Sequence, residues 1–251
     1  MIMRVWGITD TGLVRKENQD AYFTTVVKEF QIGVVCDGMG GTNGGQVASR
    51  IAVDCFRREI AAALQSDMTP QQIGQTMSYA ASLAHTAIRK TAQEVAEYEK
   101  MGTTLVGAVC RKDMAVICNI GDSRAYHITK RGIEQISRDH SVVGSMIENG
   151  EITQAQAKHH PNRNLITRAL GPDMEAKADI FSLPWREGEF ILLCTDGLVN
   201  TVSDQEILFE VIHSAELDGC LERLLEVAKS HGAPDNVTAV LIENLTGKEM
   251  A

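Results

Sequence analysis

The chain has 251 residues and a formal net charge of −9 at pH 7, which is enough length to bury a sizeable core. Its acidic balance argues against a general affinity for nucleic acid or anionic membranes, because both attract basic surfaces. No apolar run reaches the ~18 residues of a membrane span, and the first residues lack the features of a signal peptide. We therefore expect a cytoplasmic protein that binds neither nucleic acid nor membrane.

Amphipathic helices are predicted near the N-terminus and near the C-terminus. Between Val47 and Leu64, apolar residues recur at spacings of four and five, which is typical of a helix with one apolar stripe. This pattern predicts a helix over 46–64, and a similar pattern predicts a second over 71–98. Ser203 and Glu206 form a capping box that predicts a helix to about 213, and another is predicted over 217–230.

Short apolar runs predict strands at 21–27, 31–37, 103–110, 114–119, 123–128, 190–195 and 237–243. Tight turns separate several of them, which favours antiparallel hairpins over β-α-β crossovers. Strands packed together with helices outside them predict an α+β layered sandwich. Residues 138–171 fit neither pattern and predict a small helical insertion. We predict one domain over residues 1–245, followed by a tail at 246–251.

Acidic residues lie at the ends of several predicted strands. They are Asp20, Asp37, Asp196 and Asp235, and a glycine follows two of them, at Gly38 and Gly197. Any one of them alone is most often a turn residue or a helix cap. A carboxylate at the end of a buried strand is nevertheless costly unless it is paired or coordinated. Clustered oxygen ligands without a His or Cys partner indicate a hard cation such as Mg²⁺ or Mn²⁺.

Two other patterns do not predict chemistry. The six cysteines show no CxxC spacing, and we interpret them as small core residues in a reducing compartment. The segment GMGGTNGG at 38–45 lacks the Lys-Ser/Thr of a phosphate-binding loop and does not match G-x-G-x-x-G. Nucleotide binding is therefore not predicted.

The sequence contains, in this order, the motifs RKENQDA, VCDGMGG, MGTTLVGAV, NIGDSRAY, RDHS, HPNRNLITRALG, CTDGLVN and PDNVTAVL. In order and spacing they resemble the metal-dependent protein phosphatases of the PPM (type 2C) family, and most of all its compact bacterial branch, which opposes Ser/Thr kinases. The resemblance extends from about Gly12 to Leu241, which is nearly the whole chain. One Asp-Gly pair would mean little, but this many motifs in register are specific.

The resemblance implies a four-layer α-β-β-α sandwich with two Mn²⁺ or Mg²⁺ ions in a cleft at one end. By position, Asp37 would bridge both ions and Gly38 would offer its backbone carbonyl to one of them. Asp196 and Asp235 would be acidic ligands of the other ion, and Asp20 would act near the second ion through a water. Asp122, together with Asp196, would hold a weaker third ion.

The resemblance also implies how a phosphoprotein would bind. Arg15 would grip the substrate phosphate, and a metal-activated water would attack phosphoserine or phosphothreonine directly. The insertion 138–171 would be a flap beside the cleft that contributes to substrate choice. On this flap, Arg163 and His160 are candidate substrate contacts, with a charged, solvated flap face as the alternative. The implied partners are a Ser/Thr kinase and its substrates, and the implied state is a monomer.

Two positions depart from the pattern of many eukaryotic relatives. Met39 stands where those relatives have a histidine that is the proposed general acid, so the leaving-group proton needs another source. Gln19 stands where they have a glutamate, so the second ion would bind fewer carboxylates and more waters.

Two alternative functions stay open at this point. One is a catalytically inactive member of the same fold that binds phosphoproteins, since a fold does not fix a function. The other is a different two-metal hydrolase such as a nuclease, although the chain lacks a basic stripe.

Overall fold

The structure is a computed structural model that describes residues 4–41, 44–214 and 219–245. The predicted tail at 246–251 lies outside these residues. One antiparallel sheet contains, in spatial order, β1 (Arg4–Asp10), β12 (Val237–Glu243), β11 (Phe190–Cys194), β8 (Arg124–Thr129) and β9 (Gly132–Gln135). The other contains β10 (Asp179–Leu183), β7 (Met114–Ile120), β6 (Leu105–Arg111), β3 (Phe30–Cys36) and β2 (Ala21–Val27).

Helices cover the outer face of each sheet. The helices α1 (Gly44–Ala63) and α2 (Pro70–Glu94) pack on the sheet that contains β3. The helices α6 (Asp204–His213) and α7 (Cys220–Ser230) pack on the sheet that contains β12. A third apolar cluster fills the space between the two sheets. The predicted α+β class and the four-layer α-β-β-α sandwich are therefore confirmed.

Strand β3 shows how the sequence builds these layers. Successive side chains of a strand point to opposite faces. Phe30, Ile32 and Val34 belong to the cluster beneath α1 and α2, whereas Val35 belongs to the cluster between the sheets. Cys36 is buried on the helix-facing side, which agrees with its interpretation as a core residue.

Several predicted boundaries differ from the structure. The helix predicted over 71–98 ends at Glu94 because Val95 is extended (φ −128°), and a short 3₁₀ helix follows at Ala96–Tyr98. The strand predicted over 103–110 is divided in two. Its beginning forms β5 (Gly102–Thr103), which pairs with β4 (Gly38–Met39). The helix predicted over 217–230 is described from Cys220 onward, and residues 217 and 218 lie outside the described ranges.

Within the two five-stranded sheets, three strands were not predicted from the sequence. They are β1, β9 and β10, and each lies at an edge of its sheet. Edge strands are covered less completely than central ones, so β1 and β10 mix half-buried and exposed positions. Such segments lack the continuous apolar run that identified the central strands.

The insertion at 138–171 contains two short helices, α3 (Val142–Glu148) and α4 (Gln154–Ala157). Ser141 caps the first helix and Thr153 caps the second. Isolated bridges join Ser141 to Ile166 and Thr103 to Leu170. The two ends of the insertion are thereby tied to each other and to the sandwich. Across residues 4–41, 44–214 and 219–245, no helix combines the length and apolarity that crossing a bilayer requires.

Candidate metal centre

Strand pairing gathers the predicted aspartates at one end of the sandwich. Ala21 of β2 pairs with Cys36 of β3, so Asp20 and Asp37 continue from neighbouring strands. Cys194 of β11 pairs with both Ala239 of β12 and Arg124 of β8. The same end therefore carries Asp196, the first residue of the short helix α5 (Asp196–Val199) after β11, together with Asp235 before β12 and Asp122 in the β7–β8 turn. These residues are far apart in the sequence, and the two sheets bring them together.

Four carboxyl groups of this cluster, those of Asp20, Asp37, Asp122 and Asp196, have raised pKa values. Burial raises the pKa of Asp20 to about 7, and the charges of Asp196 and Asp235 add to the shift. Burial likewise raises the pKa of Asp122 to about 7, with Asp196 as the next cause. The pKa of Asp37 is raised well above its ordinary value, first by burial and then by Asp20, Asp196 and Asp122. Neighbouring carboxylates thus disfavour one another's charge.

Asp196 is part of the same electrostatic cluster. Burial and then the charge of Asp235 raise its pKa, while the hydrogen bond from Asn200 and the influence of the Asp37 carboxyl group lower it. The proton affinity of Asp196 therefore depends on carboxyl groups that follow or precede strands of both sheets.

The residues present fit divalent cations. Asp20 and Asp122 are 8% and 9% exposed, and the Oδ1 atom of each is buried without a hydrogen-bond partner among the described residues. Buried anionic oxygens of this kind are costly unless a cation or a water satisfies them. All the candidate metal ligands are oxygen atoms, which suits Mg²⁺ or Mn²⁺.

The carboxylates are spread over the cluster and do not form one tight cage. In the described ranges, no group of three or more His, Cys, Asp or Glu side chains has the arrangement of a single metal site. This spread is compatible with Mg²⁺-type binding, in which one or two carboxylates bind the ion and several waters complete its shell.

Polar residues that were not singled out from the sequence hold two of the aspartates in place. Thr195 donates a 3.0 Å hydrogen bond from Oγ1 to Oδ2 of Asp20. Asn200 donates a 3.0 Å hydrogen bond from Nδ2 to Oδ2 of Asp196. Both residues lie in the CTDGLVN motif, and this was the only feature of the sequence that could have indicated their role.

Asn236 fixes the loop that carries Arg15. Its side-chain carbonyl accepts the backbone N–H of Gln19 at 2.9 Å. Its amide donates to the backbone carbonyls of Thr11 and Glu17 at 3.0 and 2.9 Å. The buried side chain of Asn236 therefore holds both ends of the segment around Arg15. Because Asn236 follows Asp235 in the chain, this segment is fixed next to Asp235.

Arg15 lies at the edge of the carboxylate cluster. Its Nη2 donates a 2.7 Å hydrogen bond to Oδ2 of Asp235. This bond raises the pKa of Arg15, and the charges of Asp37 and Asp196 add to the effect after a smaller opposing contribution of burial. The Arg15 side chain is 57% exposed, and a guanidinium has five N–H donors. It can hold Asp235 and still present donors to a ligand.

The glycines that follow two of the aspartates allow close backbone packing. A Cβ at Gly38 would collide with the carbonyl oxygens of Gly45 and Gln19, and a Cβ at Gly197 would collide with that of Asn236. Both glycines therefore admit neighbouring backbone carbonyls at positions where a side chain would clash.

The candidate flap contacts stand apart from this cluster. Arg163 is exposed and His160 is half-buried. Within the described ranges, neither side chain forms a hydrogen bond or ion pair with the aspartates. His160 instead accepts the backbone N–H of Asn162 through Nδ1 at 3.1 Å. Arg168 donates to Asp179 at 3.0 Å and contacts His140 at 3.1 Å, so it belongs to the base of the insertion.

Comparison with known proteins gives a consistent result. The profile of the family Protein phosphatase 2C matches residues 14–241. The chain is 37% identical to "Serine/threonine phosphatase stp" of Listeria monocytogenes, over 96% of this chain and 96% of that protein. It is 32% identical to "Serine/threonine protein phosphatase PstP" of Mycobacterium tuberculosis, over 97% of this chain but 45% of that protein.

Solved structures resemble the fold throughout. The serine/threonine phosphatase Stp1 from Staphylococcus aureus superposes with a TM-score of 0.91 at 34% identity, covering 98% of this chain and 96% of that chain. The catalytic domain of the phosphatase PstP in complex with two manganese ions superposes with a TM-score of 0.83 at 29% identity, covering 97% of this chain and 99% of that chain.

Proposed function

Because the chain belongs to the protein phosphatase 2C family, we propose that it is a metal-dependent phosphatase that hydrolyses phosphoserine and phosphothreonine in proteins. The observation that carries this proposal is the cluster of Asp20, Asp37, Asp122 and Asp196, in which burial raises the pKa of every carboxyl group. Such a cluster needs cations to neutralise it. Arg15 lies at its edge, which supports the proposal that one site binds both the cations and the substrate phosphate.

Two Mn²⁺ or Mg²⁺ ions are the proposed cofactors. Asp37 would contact both, with the Gly38 carbonyl, Asp196 and Asp235 as further ligands and Asp20 acting through a water. When bound, the ions supply a nucleophilic water of lowered pKa and neutralise charge on the phosphoryl oxygens. The relative solved with two manganese ions supports this assignment. A weaker third ion between Asp122 and Asp196 is proposed because Oδ1 of Asp122 is buried without a partner in the described structure.

The protein's own residues bind and orient the substrate. Arg15 would grip two phosphate oxygens with parallel hydrogen bonds while Asp235 anchors its other donors. Thr195 and Asn200 hold Asp20 and Asp196 in fixed orientations, so the carboxylates need little reorganisation when substrate arrives.

A covalent phosphoenzyme is not required. Burial raises the pKa of the Cys36 thiol well above its ordinary value, and all six cysteines are buried, so a thiolate nucleophile is disfavoured. Direct attack by water is the simpler route. The Met39 thioether has no proton to transfer, so the leaving group must take its proton from water or from another residue.

The proposed substrates are phosphoproteins, among them a Ser/Thr kinase and the targets of that kinase. The relatives that are named serine/threonine phosphatases support the substrate class. The proposed location is the reducing cytoplasm, where free cysteines such as the six buried ones of this chain persist, and the proposed state is a monomer.

The inactive phosphoprotein-binding alternative has no observation in its favour. Every predicted carboxylate is present, and most of the cluster shows the mutual repulsion that cations would relieve. The net charge of −9 also disfavours a nuclease, whose substrate is a polyanion.

Hydrolysis assays test the proposal. The purified chain is incubated with p-nitrophenyl phosphate and with a phosphothreonine peptide in Mn²⁺, in Mg²⁺ and in EDTA. Turnover of both substrates with a divalent ion and loss of turnover in EDTA are expected. Absence of turnover with either ion would refute the phosphatase activity.

A further inference from the structure

Thr104 is fully buried at the junction of three segments that surround the carboxylate cluster. Its Oγ1 accepts the backbone N–H of Asp37 at 2.9 Å, and its own backbone N–H donates to the Asp37 carbonyl at 2.9 Å. Asp37 is thus held on both sides of its Cα by one residue. Thr103 adds a 2.8 Å hydrogen bond from its hydroxyl to the same carbonyl.

The same hydroxyl reaches the turn that carries Asp122. Thr104 Oγ1 and Ser123 Oγ are 2.7 Å apart, and both side chains are fully buried. Because Thr104 Oγ1 already accepts the Asp37 N–H, donating its own proton to Ser123 satisfies both groups. The Thr104 hydroxyl therefore connects the backbone of Asp37 to the neighbour of Asp122.

The Thr104 methyl group contacts this turn as well. Gly121 has φ +106°, and a Cβ built on it would lie 2.5 Å from Cγ2 of Thr104. The turn therefore packs directly on Thr104, and glycine is required there by both the backbone angle and the space. Next to Thr104, Thr103 exchanges two backbone hydrogen bonds with Leu170, at 3.0 and 2.9 Å, which places the exit of the flap against the same segment.

We propose that Thr104 is a positioning residue of the metal centre, whose hydroxyl holds the segments of Asp37 and Asp122 in one fixed relation so that cations can bind between them. The inference rests on the proposed function, since it concerns ligands of the proposed ions. Thr104 touches neither substrate nor cation and acts through Asp37 and Ser123. Its loss should weaken cation binding by about 10–100-fold, as is typical when residues that orient metal ligands are removed.

The test compares substitutions that separate the hydroxyl from the methyl group. Thr104→Val keeps the shape and removes the hydroxyl, whereas Thr104→Ser keeps the hydroxyl and removes the methyl group. Ser137→Ala is the matched control, because Ser137 is also buried and its Oγ accepts a backbone N–H, that of Ala125, at 2.9 Å. Mn²⁺ affinity is measured by calorimetry, folding by thermal melts in EDTA, and exchange of the Asp37 amide by NMR in EDTA.

Thr104→Val should bind Mn²⁺ about 10–100-fold more weakly and exchange the Asp37 amide faster, while Thr104→Ser keeps most of the affinity. Ser137→Ala should lose stability without losing Mn²⁺ affinity. If Thr104→Val melts at a lower temperature but binds Mn²⁺ like the wild type, its role is structural only and the inference is wrong.

Two further outcomes are also decisive. If Thr104→Val does not fold, Ser123→Ala decides instead, because it removes the other half of the hydroxyl pair. Weaker Mn²⁺ binding by that variant supports the inference, and unchanged binding overturns it. If the wild-type protein binds no Mn²⁺, the proposed function fails and the inference fails with it, which distinguishes this outcome from an effect of Thr104 alone.

Discussion

The guanidinium of Arg15 donates a 2.7 Å hydrogen bond to the carboxylate of Asp235, although 220 positions separate the two residues in the chain. This contact places a cation of the protein beside the carboxylates that are proposed to bind metal. In the proposed function, Arg15 would therefore bind an anion whose other oxygens contact the proposed metal ions.

Arg15→Ala should raise KM for a phosphopeptide and leave kcat nearly unchanged. If Arg15 grips the phosphate equally in the ground and transition states, its loss removes uniform binding only. Charge-assisted hydrogen bonds are worth about 1.5–3 kcal/mol each, so kcat/KM should fall at least about tenfold. Arg15→Lys should recover part of the loss, because Lys offers a point charge without the planar fork. Steady-state kinetics at saturating Mn²⁺ measure both variants.

Arg58→Ala is the control for removing a surface arginine. Arg58 is 65% exposed and pairs with Glu59 on α1, so its loss should leave both kinetic constants unchanged. An unchanged KM in Arg15→Ala and Arg15→Lys would remove Arg15 from the site.

Asp37→Asn and Asp196→Asn should abolish turnover and yet leave the protein folded. Each substitution removes a carboxylate from the proposed metal pair. In EDTA it also removes a carboxyl group whose pKa is raised by burial and by neighbouring carboxylates. Such a group costs folding free energy at neutral pH, so the melting temperature should rise. Melts with and without Mn²⁺ and hydrolysis of p-nitrophenyl phosphate provide the measurements. Retained activity in either variant would mean that the metal centre lies elsewhere.

Asp20, Asp37, Asp196 and Asp235 were predictable because each borders an apolar run, whereas Asp122 was predicted only from the resemblance to the family. Asp37 and Asp196 follow the central strands β3 and β11, whose mostly apolar sequences predict that they are buried. The residues that hold them were not predictable in this way. Thr195 lies 175 positions from Asp20, and Asn236 lies 217 positions from Gln19, so only the folded sheets bring these partners together. Polar residues of this kind carry no periodic signal.

The fold was also predictable only where the apolar pattern of the sequence is strong. The α+β sandwich followed from the central strands and the amphipathic helices, which bury one continuous face. The end of α2 did not, because Val95 adopts an extended conformation inside a sequence that continues the helical pattern. The edge strand β10 was missed because its five residues, DIFSL, contain neither a continuous apolar run nor a strict alternation of polar and apolar residues.

Asp122→Ala should have a milder effect than substitution of Asp37. If Asp122 holds only a weak third ion, the two tight ions should still bind. Activity should fall and require more Mn²⁺, while calorimetry shows tight binding close to that of the wild type. Loss of the tight binding events would instead make Asp122 a ligand of the main pair.

Arg163→Ala should reduce kcat/KM for a phosphoprotein more than for p-nitrophenyl phosphate. Arg163 is exposed on the flap, where a protein substrate can contact it but a small aryl phosphate scarcely can. His160→Ala should behave similarly, although His160 also accepts the Asn162 N–H. Lys130→Ala, an exposed cation in the β8–β9 turn, is the control and should affect neither substrate. Equal losses on both substrates would implicate the flap residues in the reaction itself.

Without metal, the protein should lose stability as the pH rises towards and through neutrality. The pKa of Asp20 and that of Asp122 are each raised from 3.8 to about 7, so between these values the folded state binds more protons than the unfolded state. Stability from this source is complete below pH 3.8 and is lost as the pH rises through about 7. Each proton of difference changes the free energy of unfolding by about 1.4 kcal/mol per pH unit.

Comparison of wild-type protein with Asp20→Asn isolates this effect. Burial lowers the pKa of His85 and His140, which acts in the opposite direction below pH 6.5 but is common to both proteins. In EDTA, melts between pH 5 and pH 8.5 should therefore show a steeper loss of Tm in the wild type than in Asp20→Asn. Saturating Mn²⁺ should remove the loss, because the ions bind the deprotonated carboxylates, and calorimetry in two buffers should show proton release on binding. Equal pH dependence of the two proteins in EDTA would show that Asp20 is ionised in the metal-free protein, contrary to its burial beside the other carboxylates.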